Sequence, residues 1–183
     1  YTGVTEDIII WAGAFSGEFN CPDHNKSYDA PGDMENCYAD DGKISFNVNP
    51  AKNSEASISI QVGGLVGTAS LGKIHRCYHG SDITVKCNSP FYLAGAGIAA
   101  TITHLWITEC YNTGSISFPV GDAQMHWKAS YVGGIVAEVT PNGNINSMGK
   151  PKEKASYIAN CYNAGHLTAN TVAGIYVHNN TLA

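Results

Sequence analysis

The sequence predicts an all-β fold: stacked β-coil repeats of the β-helix or β-solenoid kind, with irregular loop insertions. Three observations carry that expectation. The composition suits strands and turns, a Cys-Tyr pair recurs along the chain, and a Gly-rich apolar element recurs between its copies. Of 183 residues, 20 are Gly and 16 are Asn, the residue types that best tolerate tight turns and left-handed backbone. Hydrophobic residues make up 44%, enough for a core, while charged residues are only 14% against the usual ~25%. That combination excludes an acidic disordered tail and a long solvated helix.

Charge narrows the function classes. Nine Lys and a single arginine, Arg76, stand against 15 acids for a net charge of -5. Neutralising phosphates takes clustered Lys and Arg, so no nucleic-acid partner is expected. The longest apolar runs, Ile8–Phe15 and Leu93–Ile102, are broken by Gly and fall short of the ~18 residues that span a bilayer. No membrane-spanning segment is expected. The first residue, Tyr1, reads as the start of a processed or excised piece, and low charge with many Asn suits an extracellular setting.

The repeat gives the organisation. Cys37-Tyr38, Cys77-Tyr78, Cys110-Tyr111 and Cys161-Tyr162 each follow a large apolar residue three places earlier: Met34, Ile74, Ile107 and Ile158. A turn and an alternating stretch come next, as in Cys110-Tyr-Asn-Thr-Gly-Ser-Ile116 and Cys161-Tyr-Asn-Ala-Gly-His-Leu167. Gly114 and Gly165 are expected to supply positive φ in these turns. The first copy has one extra residue before Gly42, and the second brings Gly80 one place early, so those turns are expected to differ. The alternation after each turn predicts a strand with one buried face.

Between these copies run Val62-Gly63-Gly64-Leu-Val66, Gly95-Ala-Gly97-Ile-Ala99, Val132-Gly133-Gly134-Ile-Val136 and Val172-Ala-Gly174-Ile-Tyr176, with a weaker Trp11-Ala-Gly13-Ala-Phe15. Gly64 to Cys77 and Gly97 to Cys110 are both 13 residues, while Gly134 to Cys161 is 27. The excess coincides with the polar stretch 141–154, read as a surface insertion, since added loop length costs little. Glycines at 13, 64, 97, 134 and 174 are 51, 33, 37 and 40 apart, a period proper to stacked arrays. Gly, Asn, Thr, Ser, Val and Ile interiors favour strands over helices, and the irregular copies favour a stack over a closed propeller. Residues 1–183 are therefore expected to form one repeat domain of a longer protein, with a degenerate first repeat at 8–44 and clearer repeats at 58–178.

The Val-Gly-Gly-Leu/Ile-Val element followed by Ile-x-x-Cys-Tyr-Asn-x-Gly-x-Ile resembles the GLUG motif repeat, clearest at Val62–Gly67, Cys110–Ile116 and Val132–Ile135. That family occurs in bacterial surface proteins and beside immunoglobulin A peptidases. The resemblance implies a secreted or wall-attached bacterial protein of repetitive β-architecture with an adhesive or spacer role. The family's motif residues are structural, so it assigns no catalytic residue. Gly95-Ala-Gly97 and the shifted His79-Gly80 turn depart from its pattern.

The recurring residues have physical readings of their own. The glycine pairs, Gly63-Gly64 and Gly133-Gly134, permit close backbone approach, and Gly95-Ala-Gly97 lacks the context of a dinucleotide fingerprint. The Cys steps do not suit a zinc site. Stacked one rung apart, ~4.8 Å, the thiols fall within disulfide reach, yet side chains on in-register strands run parallel. A column of small buried thiols is expected. Cys21 and Cys87 lie outside the pattern, and whether they bridge is left open. Tyr38, Tyr78, Tyr111 and Tyr162 are expected as a stacked, partly exposed column, with a sugar platform as the alternative.

Chemistry-bearing residues are sparse. Six acids fall between Asp23 and Asp41, which offers oxygen ligands to Ca²⁺ without EF-hand spacing; no cofactor is otherwise expected. His75 and His79 flank Cys77 without a necessary common face. No His-Glu-x-x-His, Gly-x-Ser-x-Gly or P-loop is present. Candidate ligand-binding aromatics in expected loops are Tyr28, Tyr92, His126 and Trp127, because rings on a rigid scaffold stack on sugars or anchor a protein. The expected function is a non-catalytic stalk or adhesin-like module that meets a surface glycan, a protein or neighbouring repeats. The alternative is a β-helix polysaccharide lyase or glycoside hydrolase, whose paired carboxylates would come from Asp40 or Asp41 with Glu109 or Glu138.

Overall fold

The structure, a computed structural model, describes residues 8–20, 32–48, 58–87, 92–118, 130–140 and 156–179. These residues are all-β: twenty strands and no helix. Every recorded strand pairing is parallel, and the strands form four sheets.

Sheet A runs β1 (Ile8–Ala12), β6 (Ile58–Gly63), β10 (Tyr92–Ala96), β14 (Ser130–Gly133), β19 (Thr171–Ala173). Sheet B runs β2 (Ser16–Asn20), β7 (Val66–His75), β11 (Ala99–Thr108), β15 (Val136–Val139), β20 (Tyr176–Asn179). Sheet C carries the Cys-Tyr segments: β4 (Tyr38–Ala39), β8 (Tyr78–His79), β12 (Tyr111–Asn112) and β17 (Tyr162–Asn163). Sheet D carries the strands after the turn: β5 (Lys43–Val48), β9 (Asp82–Cys87), β13 (Ile116–Ser117) and β18 (Leu167–Thr168). In each sheet the spatial order follows the chain order, so successive repeats lie one rung apart. This arrangement is consistent with a β-helix-like fold.

The sequence repeat and the spatial register coincide. Tyr38, Tyr78, Tyr111 and Tyr162 are partners in turn, as are Met34, Ile74, Ile107 and Ile158. The latter column enters a core with Leu65, Ile98, Leu105 and Ile135. A second core joins Ile58, Ile60 and Val62 of sheet A to Ile83, Val85 and Ile116 of sheet D.

The weak first copy aligns one residue later than its letters suggest. Ala12 pairs with Val62 and Ser16 with Val66, which sets Gly13 against Gly63 and Ala14 against Gly64. The turn glycines also act differently from expectation. Neither Gly114 nor Gly165 has positive φ; a Cβ on Gly114 would stand 1.9 Å from the Ser81 carbonyl oxygen, and one on Gly165 2.0 Å from that of Gly114. Close approach is what they supply. Positive φ belongs to the residue before each repeat Cys: Asn36 (55°), Arg76 (50°), Glu109 (54°) and Asn160 (53°). The extra residue of the first copy is absorbed at Asp41, with φ of 53°, whereas the turn after His79 keeps the length of the turn after Asn112.

Within the long strands, Leu71 and His104 also take positive φ. In the first and fourth repeats two strands pair along one long strand instead. β2 and β3 (Gly32–Glu35) both pair with β7, and β15 and β16 (Tyr157–Ala159) both pair with β11. The described chain thus breaks off at equivalent places in the stack, after Asn20 and after Thr140; residues 21–31 and 141–155, which include the expected insertion 141–154, lie outside the described residues.

Candidate functional site

The Cys-Tyr corner explains most of the repeated letters. Each left-handed residue interrupts the backbone ladder, and the following thiol bridges the interruption. The Cys77 Sγ donates to the His75 carbonyl at 3.2 Å, Cys110 to Thr108 at 3.2 Å, Cys161 to Ala159 at 3.2 Å and Cys37 to Glu35 at 3.4 Å. The sulfur also accepts: Cys37 N–H reaches Cys77 Sγ, and Cys77 N–H reaches Cys110 Sγ, both at 3.4 Å. Buried backbone groups need such partners. All four thiols are free, Cys77 and Cys110 buried, Cys37 and Cys161 half-buried. Hydrogen bonding with the Cys110 thiol lowers Cys77 and Cys161 to about 7, and the same contacts hold Cys110 up. Cys87 is buried; Cys21 lies outside the described residues, and so does any pairing between them.

The tyrosines beside these thiols stack face to face, with centroids 5.2, 4.8 and 5.0 Å apart and planes within 3°. Neighbouring rings therefore cover each other's faces, and the ladder offers ring edges and hydroxyls to solvent. The Tyr78 hydroxyl donates to Asp40 at 3.1 Å.

A polar ladder runs inside the corner. His79 Nδ1 meets Asn112 Oδ1 at 2.9 Å, and Asn112 Nδ2 donates to Asn163 Oδ1 at 2.7 Å. Asn112 and Asn163 also donate to the carbonyls of Gly114 and Gly165, at 2.8 and 2.9 Å. His79 is fully buried, and burial pushes its pKa below the usual histidine value. A neutral ring donating from Nδ1 follows, since Asn112 Oδ1 can only accept. His75 points the other way, to Thr108 Oγ1 at 2.8 Å. These ladder side chains and the carbonyl oxygen of the glycine in the next rung together dictate the glycine column. A Cβ on Gly64 would lie 2.3 Å from the His79 ring, one on Gly97 2.4 Å from Asn112 Cβ and one on Gly134 2.4 Å from Asn163 Cβ. In the first repeat the ladder position is Ala39 and the column holds Ala14.

The face offered outward by the repeats lies on sheet B. Alternation buries Met34, Ile74 and Ile107, which turns Asp33, Lys73, Trp106 and Tyr157 to the outside in one column. Trp106 is 44% and Tyr157 55% exposed. Their rings meet edge to face with centroids 6.4 Å apart, and the Lys73 Nζ lies 5.6 Å over the Trp106 ring. Glu35, His75 and Thr108 form the next outward column, and Arg76 bridges Glu35 at 3.5 Å and Glu109 at 3.3 Å. An indole on a rigid strand, flanked by a cation and hydroxyls, is suited to stack on a planar or sugar-like group while polar neighbours take its hydrogen bonds. Trp106 was not singled out from the sequence, where it follows the apolar run Leu93–Ile102 with no motif to mark it; its place opposite Lys73 appears only with the register.

Of the sequence candidates, Tyr28, His126 and Trp127 lie outside the described residues. Tyr92 sits half-buried beside Tyr131, and its hydroxyl donates to the buried Glu138 carboxylate. The acids proposed for catalysis are dispersed. Asp40 holds Tyr78 and the Asp41 N–H, Glu109 holds Arg76, and Glu138 pairs with Thr101 near the opposite end of β11. Asp23 and Asp29 of the expected calcium stretch are not described. Among the described residues no group of three or more His, Cys, Asp or Glu is placed to hold a metal ion, and no helix is long and apolar enough to cross a membrane. The chain matches no protein-family model, no curated protein and no solved structure.

Proposed function

We propose that this chain is a non-catalytic β-solenoid module of a bacterial secreted or cell-surface protein, adhesin-like, which displays a binding face on a rigid stack. The resemblance to GLUG repeats supplies the setting and the β-coil architecture. The observation that carries the binding role is the outward column Lys73, Trp106 and Tyr157. The recurring Cys, Asn and Gly are engaged in joining one rung to the next, whereas this column leaves large aromatic surface in water, as anchoring residues do. Its ligand class is a surface glycan or a polypeptide with an aromatic or planar group. Glycan- and peptide-array binding with the intact chain tests the reading. Trp106→Ala is expected to abolish captured ligand while leaving the far-UV circular dichroism unchanged. Unaltered binding by that variant, or turnover of a glycan by the wild-type chain, would overturn it.

A further inference from the structure

The bend between sheets A and B has a lining of its own. The two cores lie on the inner faces of the sheets, and each coil folds back so sharply at the bend that the outer faces meet. A Cβ on Gly63 would lie 1.7 Å from the Val66 carbonyl oxygen, and one on Gly133 1.7 Å from that of Val136. Beside these glycines a third apolar cluster fills the apex: Ala94 and Ala96 of sheet A against Ala100 and Ala137 of sheet B, all fully buried, with Tyr92 and Tyr131 packed against them. The Tyr92 hydroxyl crosses from sheet A and donates to the Glu138 carboxylate of sheet B. The outer faces therefore form a cleft with an alanine floor and an aromatic wall.

The opposite wall is polar. Glu18, Thr68, Thr101 and Glu138 are register partners in turn, and Glu138 shows that this column faces the cleft. Thr101 is the informative member. It belongs to the third of the five rungs of sheet B, with partners on both sides. It is only 7% exposed, yet its hydroxyl has no hydrogen-bond partner among the described residues. A buried hydroxyl in that condition costs free energy that an entering polar group recovers. On sheet A the facing column is Trp11, Gln61, Ala94 and Tyr131. Neither column contains Lys or Arg.

We infer that this cleft is a binding groove for a neutral oligosaccharide, whose hydroxyls bond Thr101 and Glu138 while its rings pack on Tyr92 and Tyr131. A sugar hydroxyl both donates and accepts, which suits a threonine hydroxyl beside a carboxylate. A carboxylate has room for several donors, so Glu138 can take a sugar hydroxyl as well as that of Tyr92. The apolar faces of the sugar suit the aromatic wall, and carboxylates without Lys or Arg turn anionic sugars away. The groove holds its ligand without cleaving it. Glu18 and Glu138 are three rungs apart, about 14 Å at ~4.8 Å per rung, beyond the ~5–9.5 Å that glycoside hydrolysis requires. The Trp106 column takes no part in this groove.

Isothermal titration of the intact chain tests the assignment, with neutral hexasaccharides of β-1,4-linked glucose, mannose or N-acetylglucosamine and with hexagalacturonate as the acidic probe. Saturable binding of at least one neutral hexamer is expected, and none of hexagalacturonate. Thr101→Val keeps the shape of the side chain and removes its hydroxyl. It is expected to weaken that binding roughly three- to tenfold, the worth of one hydrogen bond, while the Tm of the free chain stays level or rises. Trp106→Ala is expected to leave the binding unchanged. Failure of every neutral hexamer to bind, or binding indifferent to Thr101→Val, would overturn the inference. A lowered Tm of Thr101→Val would show a hydroxyl bonded within the fold and overturn it too. Neutral binding lost in Trp106→Ala alone would place the sugar on the Trp106 column, overturning the groove and leaving the proposed function standing.

Discussion

The Phe118 ring occupies the space in which a Cβ of Gly95 would stand, 2.2 Å from its Cε2. Gly95 belongs to the column Ala12, Val62, Val132, Val172, and it is the one rung where that column gives up its side chain. The departure from Val-Gly-Gly is a compensation between sheets A and D, and the volume lost at 95 reappears at 118.

Gly95→Val should therefore overpack this rung, at about 1–3 kcal/mol, while Phe118→Ala alone should cost about 3–5 kcal/mol. The double variant Gly95→Val, Phe118→Ala should lose less than the sum, with a coupling of about 0.5–3 kcal/mol. Urea unfolding of the four proteins measures this, and strict additivity would show that the two residues do not share a site.

The polar ladder makes a second prediction. Asn112→Ala removes partners from His79 and Asn163 together, so a loss of about 1–3 kcal/mol is expected in the same assay. Gly97→Ala should also destabilise, because its Cβ would lie 2.3 Å from the Gly134 carbonyl oxygen and against Asn112, and neither backbone nor ladder can retreat cheaply. Gly174→Ala, whose Cβ would meet nothing within 4 Å among the described residues, is the control and should be neutral.

Acid should weaken the fold through His79. Burial lowers its pKa in the folded state below the unfolded value, about 6.5. The neutral ring is the folded form, so this stability is complete above pH 6.5 and is lost as pH falls below it toward the lowered folded value. His104, lowered by its own burial, adds a contribution of the same sign. Asp40 and Asp82 act on His79 in the opposite sense but do not reverse the direction. His79→Asn, which copies the ladder residue of the two rungs beyond, should keep the hydrogen bond and flatten the decline in Tm between pH 7.5 and pH 5. An undiminished decline in that variant would assign the acid sensitivity elsewhere.

Thiol access should follow position in the column. At pH 7, maleimide labelling resolved by peptide mass spectrometry should modify Cys161, half-buried and lowered to about 7, ahead of Cys37, whose thiol burial pushes up. Cys77 is also lowered to about 7, but complete burial should protect it, with Cys110, until unfolding. Prompt labelling of Cys77 in the folded chain would contradict the buried column.

Much of this fold was legible in the letters, for a physical reason. A stack repeats the same contacts at every rung, so Met34, Ile74, Ile107 and Ile158 had to recur at one spacing from Cys-Tyr. What stayed hidden were roles that depend on two rungs or two sheets at once. The Asn-x-Gly glycines looked like turn-formers, but the constraint on Gly114 comes from the Ser81 carbonyl in the rung below. Likewise the positive φ fell on Asn36, Arg76, Glu109 and Asn160, four residues with no common letter to betray it. The Cys column was expected as apolar filling; its carbonyl and N–H partners are visible only once the corner is built. At the candidate site, no motif marks Trp106, and only strand register shows that it shares an outer column with Lys73 and Tyr157.

The central claim, that equivalent segments lie parallel and in register one rung apart, is tested most directly by nuclear Overhauser contacts of the Tyr111 ring. With centroids 4.8 Å from Tyr78 and 5.0 Å from Tyr162, Tyr111 should show ring-to-ring contacts to both, and Ile116 should contact Ile83 and Leu167. A Tyr111 ring with contacts to neither tyrosine, in a chain that is folded and monomeric, would contradict the stack.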